Sequence, residues 1–262
     1  MSVICHNRET FARKPRAVLF DLDNTLYAYA PAHKAAMTAV VNKAETSLGI
    51  EASSFLAAFE KSRKAIKSRL GGTAACHSRL LYMQQALELL GFKTQLYMAL
   101  DLEQTYWRTF MSTATLFPGV KEFIQALRRA GITTCIVTDL LAQIQFRKLI
   151  YFGLNDCFDF VVTSEESGAD KPAPASFELA LAKTGAQPGE ALMIGEEAAS
   201  DIAGAKKAGI ATAQKRHSGV EVFTDRRKPD LVFDAFPELE KYFGGLGWLD
   251  VAPVKKTSGR KS

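Results

Sequence analysis

The sequence has few cysteines, and none of them stands in a metal-binding pair. Its four cysteines are Cys5, Cys76, Cys135 and Cys157, and no two have C-x-x-C spacing. Structural zinc sites and disulfide frameworks both need clustered or regularly spaced cysteines. We therefore expect neither kind of site, and we expect a reducing, cytoplasmic location.

The sequence also lacks long apolar runs. No stretch approaches the roughly 18 apolar residues that a membrane-spanning helix requires. Residues 1–16 are polar and lack the apolar segment of a secretory signal. We therefore expect neither a membrane span nor a secretory signal, and we interpret residues 1–16 as a loose lead-in.

The charge balance is mildly basic. The 262 residues carry a net charge of +5, with lysine and arginine spread along the chain. Such an excess favours anionic small molecules, without the concentrated basic patch typical of nucleic-acid binding. Apolar residues make up 47%, which allows a substantial core in one large domain or a domain with an insertion.

Six short apolar runs predict strands that are buried on both faces, because they show no alternation of polar and apolar residues. Amphipathic helical patterns separate most of them. This alternation is typical of a doubly wound, parallel-sheet α/β fold of the Rossmann-like type. The runs are residues 17–20, 133–138, 160–164, 191–195, 210–213 and 231–233.

One long stretch interrupts the alternation of strands and helices. Residues 28–115 contain four helical patterns and no convincing strand, which predicts a helical domain inserted after the first strand. The core domain would then comprise residues 17–27 and 116–250. The basic, small-residue tail, 251–262, is predicted to be disordered.

Two aspartates follow the first predicted strand. Asp21 and Asp23 are separated by one residue, so their side chains face the same side of an extended chain. In open α/β sheets the ligand crevice lies at the carboxyl ends of the strands. A hard cation such as Mg²⁺ would stabilise two carboxylates there. The alternative is a structural turn followed by a helix cap.

Four more polar residues follow or end later strands. Each has a structural alternative of its own, such as a helix cap, an exposed loop lysine or an acid in the first turn of a helix. Their shared position at carboxyl ends of predicted strands favours one common site. These residues are Thr138, Lys171, Glu196 and Asp201.

The segments FDLDNTLY, IVTD, DKP and IGEEAASDIAGAKKAG resemble the four motifs of haloacid dehalogenase-like hydrolases. The resemblance extends from Ala17 to about Leu239. The helical insertion resembles the α-helical cap of one class of this family. Within that class, the sequence is similar to phosphatases of small metabolites and nucleotides.

The resemblance implies a phosphatase that works through an aspartyl-phosphate intermediate. Asp21 would be the nucleophile and Asp23 the general acid and base. Thr138 and Lys171 would contact the phosphoryl oxygens. Mg²⁺ would be held by Asp21, by the backbone carbonyl of Asp23, and by Glu196 or Asp201.

Two residues depart from the family pattern. Glu196 stands where the family usually has aspartate, which moves a metal ligand outward by one methylene. Asp139 stands where asparagine is common, which brings a carboxylate close to the phosphate pocket. Both changes put rate and phosphate affinity in question.

The insertion is expected to choose the substrate. The substrate-binding candidates are Asn24, Asp139, His77, Ser78 and Arg79. Arg79 would pair with a second anionic group of the substrate, such as a carboxylate. The alternative is an arginine that extends along the surface of the insertion.

The expected function is hydrolysis of a small phosphorylated metabolite, either a nucleoside monophosphate or a sugar phosphate, by a monomer or homodimer. One alternative is a mutase-type phosphotransferase, and another is a low-activity binding protein of the same fold. Haloacid dehalogenation is less favoured, because a leaving halide needs no proton and related dehalogenases lack an equivalent of Asp23.

Overall fold

A computed structural model describes residues 3–250, so the predicted disordered tail, 251–262, lies outside the described residues. Seven strands form one sheet. They are β1 (Val3–Cys5), β2 (Ala17–Phe20), β3 (Thr133–Thr138), β4 (Phe160–Thr163), β5 (Ala191–Gly195), β6 (Ala211–Lys215) and β7 (Leu231–Phe233). The last six confirm the six predicted strands.

The sheet is parallel except at one edge. Its order is β1-β7-β6-β5-β2-β3-β4, and only β1 runs antiparallel, against β7. Every residue of β2 and β5 is buried, which explains the missing alternation in their sequences. This arrangement confirms the predicted Rossmann-like α/β class, with β2 in the interior of the sheet between β5 and β3.

Four long helices follow β2 directly in the chain, and we call them together the helical insertion (residues 29–113). They are α1 (Tyr29–Leu48), α2 (Ala52–Leu70), α3 (Arg79–Leu89) and α4 (Leu96–Thr113), with a 3-10 turn at Ala74–His77. They agree with the four helical patterns in the sequence. The division of the chain into a core and a cap domain stays a prediction.

The other helices flank the sheet. They are α5 (Val120–Arg129), α6 (Ala142–Tyr151), α7 (Ser164–Ser167), α8 (Pro174–Thr184), α9 (Ala203–Lys207) and α10 (Phe236–Gly245). A π-helical turn, Ala198–Ile202, precedes α9, and 3-10 turns lie at Glu9–Phe11 and Pro188–Glu190. Among residues 3–250, no helix is both long and apolar enough to cross a bilayer.

Local sequence explains how the helices of the insertion begin and end. Gly49 adopts a left-handed conformation (φ 65°) immediately after α1, a role that glycine fills without strain. The side chain of Glu51 then accepts hydrogen bonds from the backbone N–H groups of Ser53 and Ser54, which caps α2. The chain therefore reverses direction within three residues and packs α2 back toward α1.

The N-terminal residues are more ordered than the sequence indicated. Val3 and Cys5 pack against the core, Ile4 is exposed, and the three residues form the edge strand β1. Phe11 is buried, with its ring centroid 5.9 Å from that of Trp248. Pairing with β7 and one buried aromatic ring therefore hold residues 3–11 to the sheet, where a loose lead-in was expected.

Candidate active site

The predicted site residues meet at one edge of the sheet. Asp21 follows β2, Thr138 ends β3 and Glu196 follows β5. The three strands are neighbours and run parallel, so their carboxyl ends lie side by side. The backbone N–H of Asp21 donates to the carbonyl of Ile194 in β5 (2.9 Å), which extends the pairing to the aspartate itself.

Lys171 connects two of the predicted acids. Its ammonium donates hydrogen bonds to Asp21 Oδ1 (2.8 Å), Asp201 Oδ1 (2.7 Å) and the carbonyl of Val137 (2.9 Å). Only 2% of the lysine side chain is exposed. A buried ammonium needs such partners, since an unpaired charge in the interior is very costly. Asp21, Lys171 and Asp201 thus form one buried ionic cluster.

The second oxygen of Asp21 is also engaged. The Thr25 hydroxyl donates to Asp21 Oδ2 at 2.7 Å, and Thr25 is fully buried. Sequence reasoning missed this threonine, although it follows the nucleophile candidate within the same motif. The two contacts fix the rotation of the carboxylate plane.

Asp201 has both oxygens committed to protein groups. Its Oδ2 accepts from the backbone N–H groups of Glu196 and Glu197, both at 3.0 Å, while Oδ1 accepts from Lys171. A Cβ added at Gly195 would lie 2.5 Å from this carboxylate, so only glycine fits there. Asp201 therefore fixes the loop that carries Glu196.

The cluster holds more negative charge than the lysine balances. Burial, only partly offset by Lys171, raises the pKa of Asp21 to about 7. Burial and then the charges of Asp21 and Asp201 raise the pKa of Glu196 to about 8. The Glu196 carboxylate accepts one long hydrogen bond, from Asn24 Nδ2 at 3.5 Å. Excess carboxylate charge with a loosely held oxygen ligand is chemistry that a hard divalent cation satisfies.

Asp23 lies in a different environment. Lys148 donates to both of its carboxylate oxygens, at 2.7 and 2.8 Å, and the Tyr27 hydroxyl donates to one of them. The ammonium also lies 5.3 Å from the ring centroid of Trp107 and 5.4 Å from that of Phe110. Burial raises the pKa of Asp23, but the lysine and its hydrogen bonds outweigh burial and lower the pKa overall.

Sequence reasoning missed Lys148 and its neighbour Gln145, both on α6. Gln145 Nε2 donates to Thr138 Oγ1 and to the carbonyl of Asp139, both at 2.7 Å. Gln145 and Lys148 share the buried face of α6 with Ile144. Two polar residues at core-facing positions of a helix were the available signal.

Asp139 departs from the family pattern, but its carboxylate has a partner within the protein. Its Oδ1 accepts the backbone N–H of Lys171 at 2.9 Å. Burial, partly offset by Lys171, raises the pKa of Asp139. The residue therefore holds the lysine loop in place.

A cavity of about 570 Å³ lies between the helical insertion and these strand ends. Asn24 lines the cavity and adopts a left-handed backbone conformation (φ 65°). Its Oδ1 accepts a hydrogen bond from the backbone N–H of Tyr29 at the start of α1. The other lining residues from the strand-end side are Asp23, Asp139, Leu140, Glu196 and Glu197. Those from the insertion are Tyr29, His33, Phe59, Glu60, Arg63, Lys67, His77, Arg79 and Tyr82.

The three predicted residues of the insertion have different positions. His77 and Arg79 line the cavity, as expected. Ser78 is buried, and its hydroxyl accepts the backbone N–H of Leu81 at 3.3 Å. The prediction that Ser78 binds substrate is therefore corrected, because this side chain caps α3.

Arg79 does not extend along the surface. Its guanidinium donates to the carbonyl of His77 (2.7 Å) and to the hydroxyl of Tyr29. The guanidinium carbon lies 5.4 Å from the ring centroid of Tyr106 and 5.6 Å from that of Trp107. These contacts hold a positive charge at the wall of the cavity.

His77 also connects the insertion to the Lys171 loop. Its Nε2 lies 3.1 Å from Asp170 Oδ2, and Cys76 Sγ lies 3.6 Å from the same oxygen. The backbone N–H of Asp170 donates to the carbonyl of Gly72 (2.9 Å). The side chains of Cys76 and His77 therefore both contact the Asp170 carboxylate, which the sequence did not predict.

The comparisons with known proteins establish the family. Residues 15–209 match the family model for haloacid dehalogenase-like hydrolases. The chain is 41% identical over 197 residues to a ribulose-1,5-bisphosphate 5-phosphatase from Halopiger xanaduensis, covering 75% of this chain and 82% of that protein. It is 31% identical over 229 residues to a glyceraldehyde 3-phosphate phosphatase from Methanopyrus kandleri, covering 86% and 95%.

Solved structures agree with this assignment. A haloacid dehalogenase-like phosphatase from Thermococcus onnurineus is 26% identical, with a TM-score of 0.66, and the match covers 88% of this chain and 98% of that one. A 2-haloacid dehalogenase from Pseudomonas syringae shares the fold, with a TM-score of 0.72 at 23% identity, covering 88% and 99%. The chain therefore belongs to the haloacid dehalogenase-like hydrolases, and the prediction of an enzyme of this family is confirmed.

Proposed function

We propose that the protein is a Mg²⁺-dependent phosphatase that hydrolyses a small phosphosugar through a phosphorylated Asp21. The observation that carries the proposal is the buried Asp21–Lys171–Asp201 cluster at the carboxyl ends of the strands. It places a fixed carboxylate beside a fixed ammonium. Such preorganised charge is usually the largest contribution to catalysis.

Asp21 and Glu196 suit Mg²⁺ best, because both have raised pKa values and too little positive charge nearby. The backbone carbonyl of Asp23 would complete the protein ligands. Asp201 would act indirectly, by fixing the loop that carries Glu196. Of the two acids predicted as alternative metal ligands, we therefore favour Glu196. When bound, the cation reduces the repulsion between the carboxylate and the phosphate dianion.

Each residue of the site would have its own role in the proposed reaction. Asp21 attacks the phosphorus atom while Lys171 and Thr138 stabilise the charge on the phosphoryl oxygens. Asp23, ionised in its pair with Lys148, takes a proton from the water that hydrolyses the aspartyl phosphate, and it gives that proton to the leaving alcohol oxygen of the next turnover. Acid–base help of this kind contributes about 10²–10⁴-fold in rate.

The named relatives favour a sugar phosphate among the expected substrates. Both the ribulose-bisphosphate 5-phosphatase and the glyceraldehyde 3-phosphate phosphatase carry the names of short phosphosugar substrates. A mutase-type phosphotransferase and a low-activity binding protein remain the alternatives. Dehalogenation is disfavoured by Asp23, since a halide leaves without a proton. The cytoplasmic location and the monomeric or homodimeric state stay predictions.

Phosphate release from p-nitrophenyl phosphate and a panel of sugar phosphates tests the proposal. We expect activity that requires Mg²⁺ and that falls by roughly 10³-fold or more in Asp21→Asn, because the nucleophile is lost. Asp225→Asn, at an exposed ion pair far along the chain, is the matched control and should retain activity. Full activity of Asp21→Asn would overturn the assignment, and transfer of phosphate to sugar rather than water would favour the mutase.

A further inference from the structure

The two walls of the cavity above the site carry opposite charge. Its strand-end wall carries four carboxylates, Asp23, Asp139, Glu196 and Glu197, and no cation. Its insertion wall carries Arg63, Lys67 and Arg79 against a single acid, Glu60. The two walls belong to different segments of the chain, so the separation of charge follows from the packing of the insertion over the sheet.

The acidic wall is already assigned by the proposed function, on which this inference depends. Mg²⁺ and the transferred phosphoryl group would occupy the carboxylate end, beside Asp21 and Lys171. That assignment leaves the cations of the insertion without a role in phosphoryl transfer. They face whatever remains of the substrate after the reacting phosphate, namely the leaving group.

The charges on the insertion wall are only partly neutralised by the protein. Glu60 binds Arg63 in a two-pronged ion pair, with contacts of 2.9 to 3.2 Å. Within residues 3–250, no carboxylate lies within ion-pair distance of Lys67 or Arg79. Arg79 makes its contacts with a carbonyl, a hydroxyl and aromatic rings, none of which cancels its charge.

Among the three cations of this wall, Lys67 and Arg79 have no carboxylate partner in the described part of the chain, and their two positive charges match one dianion. Arg63 and Lys67 stand one turn apart on α2, so their side chains lie on the same face of the helix. A phosphate monoester carries close to two negative charges at neutral pH, whereas a carboxylate carries one. Guanidinium and ammonium groups are also the side chains that bind phosphate oxygens best.

We propose that the insertion wall, formed by Arg63, Lys67 and Arg79, is a binding site for a second phosphate on the leaving group. The preferred substrates would then be small sugar bisphosphates, with one phosphate hydrolysed at Asp21 and the other held by the insertion. The cavity volume of about 570 Å³ lies within the range of small-molecule sites. The second phosphate would contribute binding energy remote from the reacting bond.

Matched substrates test this site. We would measure kcat and KM for ribulose 1,5-bisphosphate, ribulose 5-phosphate, 3-phosphoglycerate and p-nitrophenyl phosphate with the intact chain and Mg²⁺. We expect kcat/KM for the bisphosphate to exceed that for the monophosphate by about tenfold or more, as one charge-assisted contact allows. A greater preference for 3-phosphoglycerate would overturn the assignment to phosphate in favour of a carboxylate.

Lys67→Met is the decisive variant, because this lysine is exposed and its loss should not disturb folding. We expect about a tenfold rise in KM for the bisphosphate, and no more than about a twofold change for p-nitrophenyl phosphate. Lys67→Arg should restore most of the affinity. Lys64→Met, an exposed lysine on the same helix outside the cavity, is the matched control and should leave both substrates unchanged.

A binding measurement separates this proposal from the proposed function. Calorimetry on Asp21→Asn with Mg²⁺ should show tighter binding of ribulose 1,5-bisphosphate than of ribulose 5-phosphate, and Lys67→Met should abolish the difference. Equal binding of the two sugars, with p-nitrophenyl phosphatase activity intact, would overturn the second phosphate site alone. A binding preference without hydrolysis of any phosphoester would instead overturn the proposed function and support the site.

Discussion

Asp21 and Asp23 stand two residues apart, yet the regions around them differ in the balance of charge. Around Asp21, two buried carboxylates, Asp21 and Asp201, share the ammonium of Lys171, and burial raises the pKa of Asp21 to about 7. Around Asp23, a single carboxylate has its own lysine, Lys148, which outweighs burial and lowers the pKa of Asp23. The same type of side chain therefore has a raised pKa at position 21 and a lowered pKa at position 23.

The difference shows what each region is suited to do. Excess negative charge is unfavourable until a cation binds, so the Asp21 region is suited to hold Mg²⁺ and a phosphoryl group. A balanced ion pair is stable by itself, so the Asp23 region keeps its carboxylate oriented. Carboxyl groups whose environments move their pKa values apart commonly take different roles in one reaction.

The largest expected effect comes from breaking the Asp21 region with Lys171→Met. The change leaves buried carboxylates without their ammonium, and breaking a buried pair costs about 3–5 kcal/mol in unfolding free energy. Activity should fall by about 10²–10³-fold, as for loss of one transition-state donor. Denaturant unfolding without Mg²⁺ and phosphatase assays would measure the two effects.

A second variant sharpens that prediction. Adding Asp201→Asn to Lys171→Met removes one of the unpaired charges, so part of the lost stability should return while activity stays low. If Lys171→Met unfolds at the same denaturant concentration as the wild type, the cluster does not carry the charge balance described above.

Lys148→Met should have a smaller effect on stability. The Asp23 side chain is 30% exposed, so water can replace part of the lost contact, and methionine packs well among Trp107 and Phe110. We expect a loss of about 1–3 kcal/mol in unfolding free energy. Misorientation of Asp23 should lower kcat by up to about 10²-fold, with little change in KM.

The pH dependence of this loss has a defined sign. A lowered carboxyl pKa contributes stability above the ordinary value of 3.8, and that contribution disappears as pH falls through the lower folded pKa. The difference in stability between wild type and Lys148→Met should therefore be full at neutral pH and shrink in acid. A difference that grows in acid would contradict the Asp23–Lys148 pair.

The smallest expected effect is the response of the melting temperature to Mg²⁺ at different pH values. Without metal, the raised pKa values of Asp21 (about 7) and Glu196 (about 8) mean that both carboxyls hold protons more readily than usual. Mg²⁺ binds the ionised forms, so it must displace those protons at lower pH. Mg²⁺ should therefore raise the melting temperature by a larger amount above pH 8 than below pH 7.

Glu196→Gln provides the control for the metal experiment. Glutamine keeps the shape of the side chain but loses its charge, so the Mg²⁺-dependent stabilisation should shrink and lose part of its pH dependence. An unchanged response to Mg²⁺ would indicate that the cation binds elsewhere.

Much of the fold and of the acidic cluster could be predicted from the sequence. Buried parallel strands leave continuous apolar runs, and the polar residue at the end of a run or just after it identified Asp21, Thr138 and Glu196. Strand β1 could not be predicted, because three residues are too short for a periodic pattern and its stability depends on pairing with β7.

The parts of the site that come from helices were harder to predict. Lys148 reaches Asp23 only because α6 turns its buried face toward the end of β2, which is a matter of packing rather than of local pattern. Ser78 could have been recognised, since serine before an apolar helical run favours a helix cap. The aromatic surroundings of Arg79 depend on α3 and α4 packing together, which spacing alone does not determine.

The central claim is that Asp21 itself takes up the phosphoryl group, and trapping that intermediate is its most direct test. Wild-type enzyme with Mg²⁺ would be mixed rapidly with substrate, quenched in acid, digested and examined by mass spectrometry, with Asp23→Asn used to slow hydrolysis of the intermediate. We predict one added phosphoryl group on the peptide that contains Asp21, and none in Asp21→Asn. A phosphoryl group on any other residue, or turnover in Asp21→Asn at the wild-type rate, would contradict the claim.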